Sequence, residues 1–244
     1  MKIGIIGDIH ANLAALTKVL SLLKTEQCAK ILCLGDVVGY GPRPQECVDL
    51  VRALKLPTVM GNHDDWIGNY LRLAGTSDFV RDMIIWTKKQ LRPDAVEWLK
   101  TLPVKDAYGG IDFTHASNCP DTKYWPYIRD VNSLAENFRY QRSPLCFYGH
   151  THRPAIGIYR EGEEPCFIET GDRVQLPHGY RILINPGSVG QPRDGDPRAA
   201  CAIYETKTHS VRFIRVEYDI RRTQDEMVAA GLPEAYVMRL ERGK

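Results

Sequence analysis

Near its N-terminus the chain reads IGIIGDIH (residues 3–10), an apolar run that ends in two side chains able to bind a metal ion. Short apolar runs of this kind are typical of buried β-strands. Asp8 and His10 therefore stand where a strand ends. Because residues i and i+2 of an extended segment point the same way, we expect both side chains to face one ion.

The same order of apolar run and polar motif recurs along the chain. The later motifs are Gly35-Asp36, Gly61-Asn62-His63-Asp64, His115 and Gly149-His150-Thr151-His152. Apolar runs precede them at residues 31–34, 58–60, 111–114 and 145–148. Metal-binding side chains at one end of successive strands converge in space, so these motifs predict one active site.

The first part of the chain predicts alternating strands and helices. Amphipathic helices are expected at residues 12–26 and 44–55, between strands at 3–6, 31–34 and 58–60. Such alternation indicates a mainly parallel sheet with right-handed crossovers. Residues 64–102 are expected to be mostly helical, with a helix start at Pro93.

The second half is richer in short strands. We expect them near residues 111–114, 145–148, 155–159, 166–170, 180–184, 199–204 and 210–218, with one clear helix at 131–141. Closely spaced strands joined by turns favour a second, partly antiparallel sheet. Two mixed sheets packed face to face with helices outside form a four-layer α/β/β/α sandwich.

No internal repeat, low-complexity segment or linker interrupts the sequence, so we expect residues 1–244 to form one domain. The catalytic blocks span residues 7–152, and the C-terminal strands and helical tail span 180–244. The tail, 219–243, is expected to form two short helices broken at 231–233.

The composition argues against several classes of protein. The net charge is +2, whereas a dedicated nucleic-acid binder usually has a strongly basic face. No stretch approaches the roughly 20 apolar residues of a membrane span, and the N-terminus does not resemble a signal peptide. The seven cysteines include no Cys-x-x-Cys pair, which argues against structural disulfides and thiolate zinc sites. We expect a cytoplasmic protein without a membrane partner, and homo-oligomerisation stays open.

Each polar motif is a weak signal when taken alone. Asp36 could bridge two cations with its two carboxylate oxygens, or it could be a turn or helix-capping residue. Several such motifs at strand ends in one chain favour a metal centre. Oxygen and imidazole ligands without thiolate suit Mn, Fe, Co, Ni or Zn.

Together the motifs resemble the blocks of the calcineurin-like metallophosphoesterase superfamily, which run Gly-Asp-x-His, Gly-Asp, Gly-Asn-His-(Asp/Glu), His and Gly-His-x-His. Residues 185–193 (NPGSVGQPR) are similar to a block of its small prokaryotic phosphodiesterase-like members. The resemblance covers about residues 1–205. It implies the four-layer sandwich and two divalent metal ions, with manganese as the first candidate and iron, zinc, nickel or cobalt as the others.

The resemblance also implies a role for each motif. One metal would be held by Asp8, His10, Asp36 and His152, and the other by Asp36, Asn62, His115 and His150. A hydroxide shared by the two metals would attack phosphorus in line. His63 would stand beside the phosphate without binding metal, where it could protonate the leaving oxygen as a general acid.

One block departs from the phosphoprotein phosphatase branch of the superfamily. That branch reads Gly-Asp-x-x-Asp-Arg-Gly, with an Asp that orients the catalytic His and an Arg that grips a phosphate dianion. Gly39 and Tyr40 stand at those two positions here. Without the pair a phosphomonoester gains less, which favours diesters, although Arg43 or Arg193 could compensate.

Two loops could also contact the substrate. Residues 118–127 (NCPDTKYWPY) begin three residues after His115, and their aromatic rings could stack a nucleobase or could pack the loop or an oligomer interface. Residues 185–193 are rich in Pro and Gly, which is typical of a rigid turn, although Arg193 could contact substrate.

The sequence therefore predicts a metal-dependent phosphoesterase with a small substrate, and within that class a phosphodiesterase. The substrate could be nucleotide-derived. The enzymatic alternatives are a phosphomonoesterase or protein phosphatase and a dinucleoside polyphosphate hydrolase. A non-catalytic protein-interaction scaffold on the same fold, like the retromer subunit, is less favoured because every ligand position and His63 are filled.

Overall fold

The computed structural model describes residues 1–69, 76–120 and 125–244. Its strands are β1 (Lys2–Ile6), β2 (Lys30–Cys33), β3 (Lys105–Tyr108), β4 (Ile111–Thr114), β5 (Leu145–Phe147), β6 (Pro154–Tyr159), β7 (Cys166–Ile168), β8 (Arg173–Gln175), β9 (Arg181–Pro186), β10 (Ala199–Glu205) and β11 (Ser210–Val216). Its helices are α1 (Leu13–Thr25), α2 (Pro44–Ala53), α3 (Asn62–Gly68), α4 (Asp78–Gln90), α5 (Pro93–Thr101), α6 (Val131–Tyr140), α7 (Ile220–Ala229) and α8 (Glu234–Arg242).

The strands form two mixed sheets. The first has the order β2-β1-β10-β11-β8, in which β1 and β2 are parallel and the other pairs are antiparallel. The second has the order β3-β4-β5-β9-β6-β7, with β4, β5 and β9 parallel to one another. Both sheets are therefore mixed, as predicted. The expectation that the first part of the chain forms a mainly parallel sheet is wrong, because β1 pairs with β10 on its other side and the sheet continues through antiparallel strands from the end of the chain.

Apolar side chains fill the space between the two sheets. Ile3 and Ile5 of β1 pack there with Phe113 of β4, Phe147 of β5 and Ile184 of β9, and all five are fully buried. Ile3 and Ile5 share one face because side chains alternate along a strand. This shared interior fixes how the two sheets stack.

Helices cover the outer face of the first sheet. Cys201 of β10 lies in one buried cluster with Leu16 of α1, Val48 of α2 and Met227 of α7. The C-terminal helices thus pack on the same core as the first helix of the chain.

The outer face of the second sheet is covered by α6. Leu134 and Phe138 of this helix pack on Cys146 of β5 and Leu183 of β9. Gly157 of β6 permits the approach, since an added Cβ would lie 2.4 Å from a methyl carbon of Leu134. The four layers confirm the predicted α/β/β/α sandwich.

The sequence prediction also differs from the structure in two places. The edge strands β3 and β8 are absent from the sequence prediction because their side chains are mostly exposed and form no apolar run. The predicted strand at 58–60 is wrong, since only Thr58 forms an isolated bridge, with Cys33, and the backbone N–H of Met60 donates to Pro103 instead. The helical prediction for 64–102 is confirmed for α3, α4 and α5, and residues 70–75 lie outside the described residues.

The polar motifs follow the strands that run parallel to one another. Asp8 comes after β1, Asp36 after β2, His115 after β4 and His150 after β5. The carboxyl ends of parallel strands meet at one edge of a sheet, so this topology gathers the motifs. Within the described parts of the chain, none of the helices is both long enough and apolar enough to cross a membrane.

Candidate metal centre

Four buried side chains from three loops form a first cluster. The ligand atoms of Asp8, His10, Asp36 and His152 all lie within 4.8 Å of one another. His152 Nε2 is 3.0 Å from His10 Nε2 and 3.4 Å from Asp8 Oδ1. His10 Nε2 is 3.5 Å from Asp36 Oδ2. The spacing suits side chains that surround one small cation.

A second cluster shares Asp36 with the first. The ligand atoms of Asp36, His115 and His150 also lie within 4.8 Å of one another. His115 Nε2 is 3.4 Å from Asp36 Oδ2 and 3.1 Å from Asn62 Oδ1. Asp36 stands between the two clusters, where a carboxylate could bridge two cations.

Backbone carbonyls orient all four imidazoles of the clusters. The contacts are His10 Nδ1 to Val38 O at 3.2 Å, His115 Nδ1 to Leu34 O at 2.7 Å, His150 Nε2 to Trp125 O at 2.9 Å and His152 Nδ1 to Gln191 O at 2.5 Å. A carbonyl only accepts, so the nitrogen beside it must donate its N–H. The other nitrogen of each ring then faces the cluster, which is the usual arrangement of a metal-binding histidine.

This arrangement needs a positive charge between His10 and His152. Their Nε2 atoms present lone pairs to each other at 3.0 Å once both Nδ1 atoms donate to carbonyls. Burial holds the pKa of both imidazoles well below the ordinary histidine value, so a proton is disfavoured there. A divalent cation fits the donor set and would relieve the repulsion.

The two carboxylates differ in their electrostatic surroundings. Burial raises the pKa of Asp8 to about 7. Burial would also raise the pKa of Asp36, but the His115 and His63 imidazoles hold it well below its ordinary value. Burial would lower the pKa of His115, yet Asp36 raises it to about 9. Asp36 thus favours the protonated form of His115, and a metal ion that binds His115 Nε2 would have to displace that proton.

The loops that carry these side chains have left-handed backbone. The angle φ is 51° at Asp8, 47° at His10, 50° at Asp36, 65° at His150 and 58° at His152. The expectation that Asp8 and His10 lie on an extended segment is therefore wrong, as it is for His150 and His152. Each strand ends before its motif, and left-handed turns bring the side chains together. Such a residue costs about 1–3 kcal/mol and persists only where its surroundings hold it.

Hydrogen bonds between the loops hold this backbone. Asp8 N–H donates to Gly35 O at 3.0 Å, and His10 N–H donates to Asp36 O at 2.9 Å. The loop after β1 thus continues the pairing of β1 with β2 beyond the strands. Strained ligand positions in one loop are fixed by the backbone of the next.

Asp64 connects two of the ligand loops, a role that the sequence prediction missed. Its Oδ1 accepts the backbone N–H of Val37 at 3.0 Å and of Val38 at 3.4 Å, and its Oδ2 accepts that of Gly61 at 3.0 Å. Asp64 is fully buried. An acidic residue at the third position of a helix is the signal that could have indicated it.

Residues 185–193 support two ligand loops from behind. Ser188 Oγ donates to Asp8 O at 2.8 Å, and Asn185 Nδ2 donates to Gly149 O at 2.7 Å. The block therefore acts as a structural turn. Its last residue, Arg193, reaches the site itself.

His63 lies beside the clusters. It is buried, its backbone N–H donates to Asp36 Oδ1 at 2.9 Å, and its ring lies 4.6 Å from that of Tyr40 and 5.1 Å from that of Trp66. Its Nδ1 has no hydrogen-bond partner among the described residues. Burial lowers the pKa of His63 to about 4.

Gly39 leaves the space that the His63 ring occupies. A Cβ at this position would lie 2.4 Å from His63 Nδ1. The phosphatase arrangement, in which a carboxylate at this position orients the histidine, is therefore incompatible with the ring position here. The rings of Tyr40 and Trp66 contact the His63 ring instead.

Arg193 is the arginine that reaches the site. A cavity of about 180 Å³ is lined by Asp36, Asn62, His63, Trp66, His150 and Arg193, among others. Arg193 Nη2 donates to Gln191 Oε1 at 3.0 Å, and its Nε has no partner among the described residues. Arg43 instead pairs with Glu226 at 2.9 Å and Glu46 at 3.2 Å. Of the two candidate arginines, only Arg193 lines this cavity.

The aromatic residues that follow His115 pack against the clusters. The Tyr127 ring stacks on His150 at 3.9 Å, and the Arg129 guanidinium lies 3.8 Å from the centre of the same ring. Two groups this close must take opposite faces of Tyr127, so a nucleobase could stack there only if Arg129 moved. Trp125 is buried. Residues 121–124 of the predicted aromatic loop, including Tyr124, lie outside the described residues.

Comparisons with known proteins identify relatives over the whole chain. The calcineurin-like phosphoesterase superfamily domain matches residues 1–209. An uncharacterized protein of Methanocaldococcus jannaschii is 37% identical over 246 residues, 99% of this chain and 98% of that protein. The crystal structure of a metallophosphoesterase from Sphaerobacter thermophilus matches with a TM-score of 0.86 at 44% identity, over 100% of this chain and 99% of the other. A symmetrical bis(5′-nucleosyl)-tetraphosphatase of Aromatoleum aromaticum is 28% identical over 130 residues, 49% of this chain and 45% of that protein.

Proposed function

Because the chain belongs to the calcineurin-like phosphoesterase superfamily, we propose that it is a phosphodiesterase that works with two divalent metal ions. The observation that carries the proposal is the pair of buried clusters that share Asp36. A purely structural role for these imidazoles is disfavoured, since His10 Nε2 and His152 Nε2 face each other at 3.0 Å with lone pairs that nothing among the described residues satisfies.

We assign the ligands by cluster. Asp8, His10, Asp36 and His152 would hold one ion, and Asp36, Asn62, His115 and His150 would hold the other. When bound, two divalent ions would neutralise phosphate charge and lower the pKa of a water molecule. Manganese is our first candidate because all the donors are oxygen or imidazole nitrogen, and iron, zinc, nickel and cobalt share this preference. All seven cysteines are free thiols, which supports a reducing compartment such as the cytoplasm.

His63 is our candidate for the proton donor. It lines the cavity beside the clusters without belonging to either of them. A phosphate anion in that cavity would raise the pKa of the neighbouring imidazole above the low value that burial imposes. A proton on His63 could then pass to the leaving oxygen, which would depart as an alcohol.

Arg193 supplies positive charge where the phosphatase pair is missing. Gly39 and Tyr40 occupy the positions at which the phosphatase branch has Asp and Arg. Among the described residues that line the cavity, Arg193 is the arginine. A single guanidinium at the edge of the site suits a diester, whose phosphate carries one negative charge, better than a dianionic monoester. We infer from this a preference for diesters.

A pair of chromogenic esters tests the proposal. We expect hydrolysis of bis-p-nitrophenyl phosphate to need an added divalent metal and to show a higher kcat/KM than hydrolysis of p-nitrophenyl phosphate. A higher kcat/KM for the monoester would contradict the diester preference. No hydrolysis of either ester with manganese, iron, zinc, nickel or cobalt would contradict the phosphoesterase proposal as a whole.

Hydrolysis of dinucleoside polyphosphates is a second candidate within the same class. It is favoured by the likeness of about half of this chain to a symmetrical bis(5′-nucleosyl)-tetraphosphatase. Adding diadenosine tetraphosphate to the same assay separates the two candidates. Faster hydrolysis of this anhydride than of the diester would select the second.

A further inference from the structure

A second cavity, of about 620 Å³, opens beside the candidate metal centre. We call it the side cavity. Its walls include Ile128, Arg129, Tyr148, Arg153, Phe167 and Arg193. Sites for small molecules typically have volumes of about 300–1,000 Å³, so the side cavity could hold one.

Arg193 joins the side cavity to the metal centre. This side chain lines both cavities. Thr151, which lies between His150 and His152 in the sequence, also lines the side cavity. A ligand in the side cavity would therefore lie next to an ester held in the metal centre.

The side cavity carries an excess of positive charge. Arg129, Arg153 and Arg193 line it, against one acidic residue, Glu169. None of these arginines forms an ion pair with a carboxylate in the parts of the chain described here, although Arg193 Nη2 donates to Gln191 and the Arg129 guanidinium lies on the Tyr127 ring. Guanidinium groups whose charge is not neutralised by a carboxylate are suited to bind phosphate through charge-assisted hydrogen bonds.

The other walls combine apolar side chains with the buried hydroxyls of Tyr148 and Thr151. Ile128 and Ile156 are buried. Phe167 of β7 is partly exposed and lines the cavity. Tyr148 is 1% exposed, and its hydroxyl has no hydrogen-bond partner among the described residues. The side cavity thus offers apolar surface for a planar ring system and a polar atom that lacks a good partner.

We propose that the side cavity binds a nucleoside phosphate group that forms the non-reacting part of the substrate. The proposal rests on the proposed function, because it places the scissile ester in the metal centre and the rest of the molecule beyond Arg193. Phe167 and Ile128 would contact the base, and Arg129 and Arg153 would contact an attached phosphate. An ester without a second anionic group would leave these arginines unused.

Binding of adenosine 5′-diphosphate to the metal-free protein tests the proposal without relying on hydrolysis. Calorimetry in the presence of EDTA would compare the wild type with Arg153→Ala and with Thr170→Glu, which adds a negative charge at the exposed rim of the cavity. We expect Arg153→Ala to raise the Kd about tenfold, the usual effect of losing a hydrogen bond to a charged group. Thr170→Glu should raise the Kd as well, because the added carboxylate repels the diphosphate. Thr170 is remote in sequence from the ligand loops, so its result stands even if Arg153→Ala shifts His152.

Arg142→Ala is the matched control, because Arg142 is an exposed arginine outside the cavity walls. It should bind the diphosphate like the wild type. Equal affinity in Arg153→Ala, Thr170→Glu and the wild type would overturn the inference.

Hydrolysis of bis-p-nitrophenyl phosphate by the wild type tests the proposed function separately. Activity on that ester, together with unchanged diphosphate binding in the variants, would refute the role of the side cavity alone. Arginine-dependent binding without any ester hydrolysis would refute the proposed function alone.

Discussion

Among the described residues, left-handed backbone at non-glycine positions occurs both in the ligand loops and at the ends of two helices. In the ligand loops, φ is 51° at Asp8 and 50° at Asp36, and at the exposed ends of helices it is 57° at Gln27 and 49° at Lys55. The ligand residues are buried, whereas Lys55 is exposed. The backbone strain is similar in both places. Only in the loops does the residue carry a side chain that could bind metal, which glycine lacks.

The helix ends follow a common way of ending a helix. After α2, the N–H of Lys55 donates to Arg52 O at 3.0 Å, and the N–H of Leu56 donates to Val51 O at 3.3 Å. This is a Schellman arrangement, in which glycine usually occupies the left-handed position. The comparison predicts that substitutions in the ligand loops change chemistry, while substitutions at the helix ends change only stability.

Asp36→Asn should have the largest effect on function. One carboxylate is shared by both clusters, so its loss should weaken binding of both ions. We expect substoichiometric metal in the purified variant and a loss of more than about 100-fold in kcat/KM, since a carboxylate that binds the metal matters at least as much as the groups that orient the ligands. Metal analysis by mass spectrometry and diester hydrolysis would measure both.

Asp225→Asn is the matched control, since it changes the same groups on the exposed surface of α7. It should keep the metal content and activity of the wild type. Full occupancy by two metals with normal turnover in Asp36→Asn would remove Asp36 from the bridging position.

His63→Ala should lower kcat/KM more for a substrate with a poor leaving group than for one with a good leaving group. A nitrophenolate leaves easily without a proton, whereas a ribose alkoxide needs one, and general acid catalysis is typically worth about 10²–10⁴-fold. The loss in kcat/KM should therefore be larger for a nucleotide diester than for bis-p-nitrophenyl phosphate. Metal content should match the wild type because the two clusters are intact. Equal losses for the two substrates would assign His63 to charge stabilisation, and loss of metal would make it a ligand.

Gly39→Ala should disturb catalysis through His63 alone. The added Cβ would lie 2.4 Å from His63 Nδ1, so the ring must move. A displacement of about 1 Å at a catalytic group can cost about 100-fold, and we expect a loss of about 10- to 100-fold in kcat/KM for a diester with a poor leaving group.

Gly162→Ala separates this effect from backbone strain. Gly162 has φ of +86°, close to the +92° of Gly39, but a Cβ there would meet nothing within 4 Å. Both variants should lose stability, of the order of 1 kcal/mol, in urea denaturation. Only Gly39→Ala should lose activity, and equal activity in the two would show that His63 does not depend on the space at position 39.

The predictable part of the fold is the part that carries apolar runs. β1 and β10 contain fully buried residues at most positions, and the sequence prediction places both of them. β3 and β8 lie at the edges of their sheets with mostly exposed side chains, so hydrogen bonding to one neighbour, rather than burial, defines them. The local sequence of such a strand does not indicate which neighbouring strand it pairs with.

The order of the motifs predicts which side chains meet in the site but not how they are held. Asp64 accepts N–H groups from Val37 and Val38, which lie 27 and 26 residues away in the chain. The carbonyl that orients His115 belongs to Leu34, 81 residues away. These contacts depend on how β2 and β4 are placed in different sheets. Binding of metal by the clusters stays a prediction until the ion content is measured.

Lys55→Gly should have the smallest effect and the opposite sign to the loop variants. Glycine adopts the left-handed conformation without the Cβ contact that strains lysine, and the exposed Lys55 side chain buries nothing that would be lost. We expect stabilisation of about 0.5–1 kcal/mol in urea denaturation, with unchanged diester hydrolysis. The same substitution at the exposed Lys18, in the middle of α1, should destabilise by about 1 kcal/mol, because there glycine weakens a regular helix. Destabilisation by both substitutions would mean that the lysine at the end of α2 contributes more than its backbone strain costs, and the contrast between helix ends and ligand loops would then lose its basis.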